Sequence, residues 1–349
     1  MARAAAAADR ARTGPLLTGL AAVILAGGRG RRMLPLTADS PKPLLPVGPW
    51  TLVEHQITAL RALGVDRVVL STGYRHEDFD VLVQRLRATG MELVTVVEET
   101  PLGTGGGLRE ALKALPDAAA VVVLNGDLLS GHDLAAQVAM LRAASGETTG
   151  IVHVREVEDA RAYGSVVADD DGRITAFVEK SASPPSLTVN AGTYVVRPEL
   201  VDDIARDGEV SLEKEVFPAL VERGALRAYR ESAYFLDVGS PAALVTANRD
   251  LLLAPWPGAA PAPRGPSLVL PGAAVDPSAV LTGGTVVHPG AVIGAGARLE
   301  SALVLAGAHL DAHCQVLRSV IGRRAHVGAD VVVTDDALGT EEARTAVAG

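Results

Sequence analysis

Four uninterrupted apolar runs of strand length mark the first 130 residues: LAAVILA (20–26), RVVLST (67–72), ELVTVVE (92–98) and AVVVLNG (120–126). None alternates with polar residues, which is the pattern of strands covered on both faces in a parallel sheet. Between them, TLVEHQITALRAL (51–63), FDVLVQRLRATG (79–90) and GLREALKAL (107–115) space apolar residues three and four apart, the helical period. Strand and helix alternate, so the pattern predicts an α/β fold with a doubly wound sheet. After residue 150 the region turns mixed. YGSVVADDDGRITAFVEK (163–180) predicts a hairpin turning at DDDG, while PELVDDIARD (198–207) and SLEKEVFPALVERG (211–224) predict helices.

Beyond a Pro/Ala/Gly stretch that reads as a linker, APWPGAAPAPRGPS (254–267), the period changes to six. Val275, Leu281, Val287, Ile293, Leu299 and Leu305 share one register, and Ile321 and Val327 fall on another after a slip. Small residues, Ala279, Thr285, Ala291 and Ala297, follow four positions behind the earlier apolar ones. Six-residue sides, each turning one apolar residue inward, predict a short left-handed parallel β-helix of about three coils. By pattern, then, the chain divides into a disordered extension (1–19), an α/β domain (20–253), the linker (254–267), the β-helix (268–335) and a tail (336–349).

Composition narrows the class. The 349 residues are 48% hydrophobic, enough for a sizeable core, and carry a net charge of −9 with no basic block to attract nucleic acid. No apolar stretch reaches the ~20 residues of a membrane span, and MARAAAAADRARTGP lacks the apolar centre of a secretion signal. The lone cysteine, Cys314, excludes an internal disulfide framework and points to the cytoplasm. Of 32 basic residues only Lys42, Lys113, Lys180 and Lys214 are lysines, so a lysine here can mark a place that wants a compact point charge.

The candidate chemistry begins in AVILAGGRGRRMLPLTADSPKPLLPVG (22–48). A strand ends at the carboxyl edge of the sheet, where open α/β folds bind ligands, and GGRG lets backbone N–H groups approach an anion closely. Arg29, Arg31 and Arg32 add charge, and Arg32 can fork to phosphate oxygens. Pro41 and Pro43 restrict Lys42 and hold its ammonium near the same anion. The stretch is neither a Walker A loop, lacking GK[ST], nor a full dinucleotide-binding turn.

GGxGxR followed by PLT and PKPLLPVG resembles the signature of the sugar-1-phosphate nucleotidyltransferases, the pyrophosphorylases that make nucleotide sugars. Further motifs stand in that family's order: EETPLGTGGGLREAL (98–112), LNGD (124–127), YGSVV (163–167), FVEK (177–180), NAGTYVV (190–196) and DVGSP (237–241). The likeness runs from about residue 20 to residue 252, and the β-helix is similar to that of mannose-1-phosphate guanylyltransferases.

The resemblance implies a Rossmann-like, GT-A-like mixed sheet and transfer of a nucleotidyl group from an NTP to a sugar-1-phosphate, releasing pyrophosphate. It assigns Mg²⁺ to Asp127 and Asp237, the leaving pyrophosphate to Arg32, and a phosphate-bridging role to Lys42. Lys180 would bind the sugar phosphate, with Glu179, Gly164 and Asn190 in the same pocket. The nucleotide would lie along Leu25, Gly27, Gly28 and Gly30, with the glycine turn Gly103, Thr104, Gly105 and Gly106 across the base and Glu98 or Glu99 accepting from guanine. GTP and mannose-1-phosphate are the expected substrates. The alternatives are UTP or dTTP, a cyclitol phosphate such as valienol-1-phosphate, and a non-catalytic regulatory paralogue. That last reading is disfavoured because Arg32, Lys42, Asp127, Lys180 and Asp237 are all present, and a bifunctional uridylyl- and acetyltransferase would need a longer β-helix. The β-helix is expected to mediate homo-oligomerisation, DDDG to be a plain turn, and the histidines His288, His309, His313 and His326 to be non-catalytic.

Overall fold

The computed structural model describes residues 19–345, so the expectation for the N-terminal extension lies outside the described residues apart from Gly19. The chain forms β1 (Leu20–Ala26), the hairpin β2 (Pro46–Val47) and β3 (Trp50–Thr51), α1 (Leu52–Ala62), β4 (Arg67–Thr72), α2 (Asp80–Arg87) and β5 (Glu92–Val97). There follow α3 (Gly103–Lys113), β6 (Ala120–Asn125), β7 (Leu128–Ser130), α4 (Leu134–Ala143), β8 (Gly150–Glu156), β9 (Ser165–Ala168), β10 (Ile174–Val178) and β11 (Thr188–Val196). After these come α5 (Phe217–Glu222), β12 (Leu226–Arg230), β13 (Phe235–Asp237) and α6 (Pro241–Leu253).

The four apolar runs are neighbouring parallel strands in the order β5-β4-β1-β6, and antiparallel β11 extends the sheet past β6. With β8, β9, β10 and β12 the mixed sheet has nine strands. β11 bulges between Asn190 and Tyr194, where Gly192 takes a φ of +63°, so one strand serves β6, β8 and β9. Two expectations change. α3 begins at Gly103 rather than 107, and 198–224 holds one 3₁₀ segment (Pro198–Asp203), a π turn (Leu212–Val216) and the short α5. Pro218 explains the restart at α5, because its ring nitrogen cannot donate to the preceding turn.

Residues from 267 wind as a left-handed parallel β-helix with sheets of five, five and four strands, more coils than the three expected. Val269 pairs with Val287, Val287 with Val304, Val304 with Ile321, and Ile321 with Leu338, so the first coil has 18 residues and the later ones 17. The slip therefore falls before Val304, not after Leu305: one side of each later coil is five residues long, and Val304 takes the inward place. Cys314 fills a small-residue corner position, wholly buried beside Val316 and Leu310.

By contact density the described chain separates into two compact units whose boundary differs from that of the sequence segments. One holds the chain up to Gly28, Ala59–Gly126 and His132–Phe235, including the whole nine-stranded sheet. The other holds Arg29–Thr58, Asp127–Gly131 and everything from Leu236 onward, including α6 and the β-helix. Within it the proline-rich stretch is pinned: Trp256 is buried, Trp50 Nε1 donates to Pro261 O (2.7 Å), and Ala260 N–H donates to His55 Nδ1 (3.0 Å).

Candidate active site

In the β-helix-bearing unit the arginine loop folds without sheet or α-helix. Gly30 takes the left-handed conformation (φ +60°), which only glycine adopts without strain, and its carbonyl accepts from Met33 N–H (2.8 Å) and Thr37 Oγ1 (2.9 Å). The 3₁₀ turn Arg31–Met33 then buries Met33 and leaves Arg31 and Arg32 exposed. A second 3₁₀ turn, Lys42–Leu44, starts after Pro41 and contains Pro43, which fixes the lysine backbone as its sequence implied.

The Lys42 side chain is only 8% exposed, and its Nζ lies 2.6 Å from Asp127 Oδ2 and 3.9 Å from Asp237 Oδ1, with those carboxylates 32% and 28% exposed. Arg32 Nη2 is 3.8 Å from Asp237. Val238 N–H donates to Asp127 O (3.0 Å), which locks the two acid-bearing segments together. A Cβ at Gly239 would lie 3.1 Å from both Arg32 terminal nitrogens and from Asp237 Oδ1, so glycine is what lets these groups meet. Helix α6 is capped by Ser240, whose hydroxyl accepts from Ala243 N–H, and Asp237 is left out of capping. Arg32, Lys42, Asp127 and Asp237 thus converge although they come from three separate stretches of chain.

Two carboxylates gathered on one cationic point form a hard-oxygen donor pair suited to a divalent cation, which takes its remaining ligands from water and phosphate. Among the described residues no group of three or more His, Cys, Asp or Glu side chains could hold a metal by itself.

The sheet-bearing unit carries the other expected residues. Leu25 and Gly27 close β1, and Gly28 is open, since a Cβ there would meet nothing within 4 Å. Glu98 is engaged: its carboxylate accepts from Ser71 Oγ (2.9 Å) and Leu102 N–H (3.1 Å). Glu99 is exposed. Gly103, Thr104 and Gly105 form the first turn of α3, where Gly105 and Gly106 N–H donate to Val210 O at 2.8 and 3.3 Å, and Thr104 Oγ1 donates to Glu213 Oε2 (2.7 Å). This turn is braced by the chain itself.

Gly164, Glu179, Lys180 and Asn190 come together. Asn190 N–H donates to Gly164 O (2.8 Å), a Cβ at Gly164 would be 2.8 Å from Glu179 Oε2, and Glu179 Oε1 is 3.7 Å from Lys180 Nζ. Burial raises the Glu179 carboxyl above its usual range, with Lys180 drawing it back down and Glu213 pushing it up again. Sequence reasoning missed Tyr194 and Glu213. Burial holds the Tyr194 phenol protonated; it accepts from Asn190 Nδ2 (2.8 Å) and donates to Glu213 Oε1 (3.3 Å). The available signal was a tyrosine in a strand, NAGTYVV, that runs on into apolar residues, because a buried hydroxyl needs a partner. The DDDG segment is a turn, with Asp169 Oδ1 accepting from Asp171 and Arg173 N–H.

A doubly wound mixed sheet, a glycine–arginine loop and a Lys-bridged carboxylate pair define a phosphate-handling transferase. The chain belongs to the nucleotidyl transferase family, whose model matches residues 21–253, and residues 264–347 match the GMPPB C-terminal domain. It is similar to the mannose-1-phosphate guanylyltransferase of Mycobacterium tuberculosis, 39% identical over 85% of this chain and 83% of the relative. A mannose-1-phosphate guanyltransferase from Schizosaccharomyces pombe is 35% identical over 90% of this chain and 92% of its own. Among solved structures, HddC from Yersinia pseudotuberculosis complexed with GMP-PN superposes with a TM-score of 0.55 at 28% identity, over 65% of this chain and 96% of that one. Nucleotidyltransferases of this family typically use a divalent metal. Among the described residues no helix is long and apolar enough to cross a membrane.

Proposed function

We propose that this nucleotidyltransferase transfers the guanylyl group of GTP to mannose-1-phosphate, giving GDP-mannose and pyrophosphate, with Mg²⁺ held by Asp127 and Asp237. The observation that carries the reading is the convergence of Arg32, Lys42, Asp127 and Asp237, in a chain whose full-length relatives are named for this reaction.

In-line displacement at the α-phosphorus leaves the protein two tasks, alignment and charge neutralisation. Arg32 would fork to the departing pyrophosphate. Lys42, buried beside the two carboxylates, would bridge the phosphates as substrate binds. Bound Mg²⁺ would supply Lewis-acid charge to the phosphate oxygens. Gly27, Gly28 and Gly30 would admit the triphosphate, and Lys180 would take the sugar phosphate while Glu179 and Asn190 bond sugar hydroxyls. Of the two glutamates expected to read guanine, Glu99 is the one whose exposure leaves it accessible to the base, whereas Glu98 orders the end of β5. The enzyme would work in the cytoplasm as a homo-oligomer joined through the β-helix. Exposed Val280, Val292 and Val332 on the β-helix support such a contact.

The test is a pyrophosphate-release panel of four NTPs against several sugar-1-phosphates. GTP with mannose-1-phosphate is expected to give the highest kcat/KM. Faster turnover of UTP or dTTP would overturn the guanine assignment, and no pyrophosphate release with any pair would overturn the enzyme.

A further inference from the structure

The arginine loop has one anchor far along the chain. Asp39 Oδ2 accepts from the hydroxyl of Thr340 at 2.5 Å, across 301 residues, and both lie in the same compact unit. Next to it, a Cβ at Gly339 would lie 3.0 Å from Pro35 Cβ, so the coil backbone rests against the loop. The coil side is firm: Leu338 is wholly buried and paired with Ile321, Glu342 Oε2 accepts Gly339 N–H (2.7 Å), and Arg324 Nε donates to Glu341 (2.8 Å). On the loop side short bonds lead from the anchor back to the arginines: Ala38 N–H to Pro35 O (3.1 Å), Leu36 N–H to Met33 O (2.9 Å) and Thr37 Oγ1 to Gly30 O (2.9 Å).

We propose that the last described coil of the β-helix is a strut for the arginine loop, and that Thr340 is a positioning residue for Arg32. The inference rests on the assignment of that loop to the triphosphate. A loop of 3₁₀ turns has no sheet to hold it, and groups that grip a phosphate must be fixed to a fraction of an ångström. Arg32 reaches outward from the loop with most of its surface in solvent, so its placement depends on the backbone beneath it. The Thr340–Asp39 bond fixes that backbone, and its acceptor is charged, which makes it one of the stronger single hydrogen bonds available.

The experiment compares steady-state constants of full-length Thr340→Val, Thr340→Ser, Asp39→Ala and Asp39→Asn with wild type, using GTP and mannose-1-phosphate. Thr340→Val and Asp39→Ala are expected to raise KM for GTP by about tenfold, the equivalent of one charge-assisted hydrogen bond, with KM for mannose-1-phosphate within twofold. Thr340→Ser and Asp39→Asn keep a donor and an acceptor and are expected to restore KM for GTP to within threefold of wild type. Unchanged KM for GTP in Thr340→Val, or an equal rise in both KM values, overturns the strut. If Thr340→Val does not fold, the Asp39→Ala and Asp39→Asn pair decides by the same criteria. Arg32→Ala separates the two readings: if it leaves kcat/KM for GTP unchanged, the triphosphate assignment falls, whereas loss there with no effect at Thr340 refutes only the strut.

Discussion

Asp127→Asn is the substitution for which geometry fixes the most. In the folded chain Asp127 accepts the Lys42 ammonium at 2.6 Å, and Asp237 stands 3.9 Å from the same nitrogen. Asparagine keeps an oxygen for Lys42 and loses the charge, while Asp237 keeps the ammonium from being stranded. Removing one partner of an isolated buried pair costs about 3–5 kcal/mol. Here the second carboxylate and the partial exposure of the first reduce the expected stability loss to about 1–2 kcal/mol, that of a charged hydrogen bond made neutral. Turnover should suffer more, because the metal loses one of two carboxylates and the loss of a preorganised electrostatic contact typically costs about 3–4 kcal/mol of transition-state stabilisation, about 10²- to 10³-fold in rate. Pyrophosphate release titrated with Mg²⁺ measures the second effect and urea unfolding the first. A double-mutant cycle with Lys42→Met should show coupling of about 1 kcal/mol or more in stability. Turnover within threefold of wild type at saturating Mg²⁺ would remove Asp127 from the metal pair, and a stability loss above about 4 kcal/mol would refute the compensating role of Asp237.

Lys180→Ala is expected to raise KM for mannose-1-phosphate while sparing KM for GTP, since its ammonium is exposed beside Glu179 in the proposed sugar-phosphate pocket; an equal rise in both would reassign it. His153, stacked on His132 at 4.0 Å, is held to a pKa of about 3, chiefly by burial and then by the His132 and Arg155 charges. The unfolded ring takes a proton near pH 6.5 that the folded ring refuses, so its contribution is intact above pH 6.5 and is lost as pH falls toward 3, at up to about 1.4 kcal/mol per pH unit. His153→Gln should flatten the pH dependence of urea stability between pH 5 and 7, and identical slopes would refute the assignment. A Val280→Glu, Val332→Glu double variant should lower the mass measured by light scattering if the β-helix face mediates assembly, and an unchanged oligomer would exclude that face.

The central strands were legible because burial on both faces leaves short apolar runs, rich in Val, Ile and Leu, that lack the three-and-four spacing of the segments between them. The first turn of α3 was hidden by its own glycines, poor helix formers that fold there because Val210 O accepts from Gly105 and Gly106. In the β-helix the six-residue period was visible, yet the slip was set one residue late: Leu303, Val304 and Leu305 are all buried, and only strand pairing identifies Val304 as the inward one. Lys42 stood out through its prolines and the scarcity of lysine. Its partnership with Asp127 joins residues 85 apart, and no local pattern encodes such a distance. Glu213 was invisible for the opposite reason, since SLEKE reads as the solvated face of a helix although Glu213 gathers the hydroxyls of Thr104, Tyr194 and Ser211.

The compact units also change what the β-helix is expected to do. A period change after a proline-rich stretch reads as an appended module, and the natural test would be to delete it and weigh the remainder. The arginine loop and both acid-bearing segments are grouped with the β-helix, however, and the supposed linker is packed: Trp256 is buried, His55 accepts Ala260 N–H, and α6 holds the β2–β3 turn, where Gly48 N–H donates to Asn248 Oδ1 (2.7 Å). At Gly284 a Cβ would come within 2.7 Å of Arg249 Cα, so the first coil abuts α6 just as the last abuts Pro35. Removing residues from 265 onward should therefore abolish turnover and not only alter mass, because the segments that carry Arg32, Lys42 and Asp237 lose the body they pack on. A truncated chain that stays folded by circular dichroism and keeps wild-type kcat would show that the α/β domain organises Arg32, Lys42, Asp127 and Asp237 unaided, and the β-helix would then have no part in holding them.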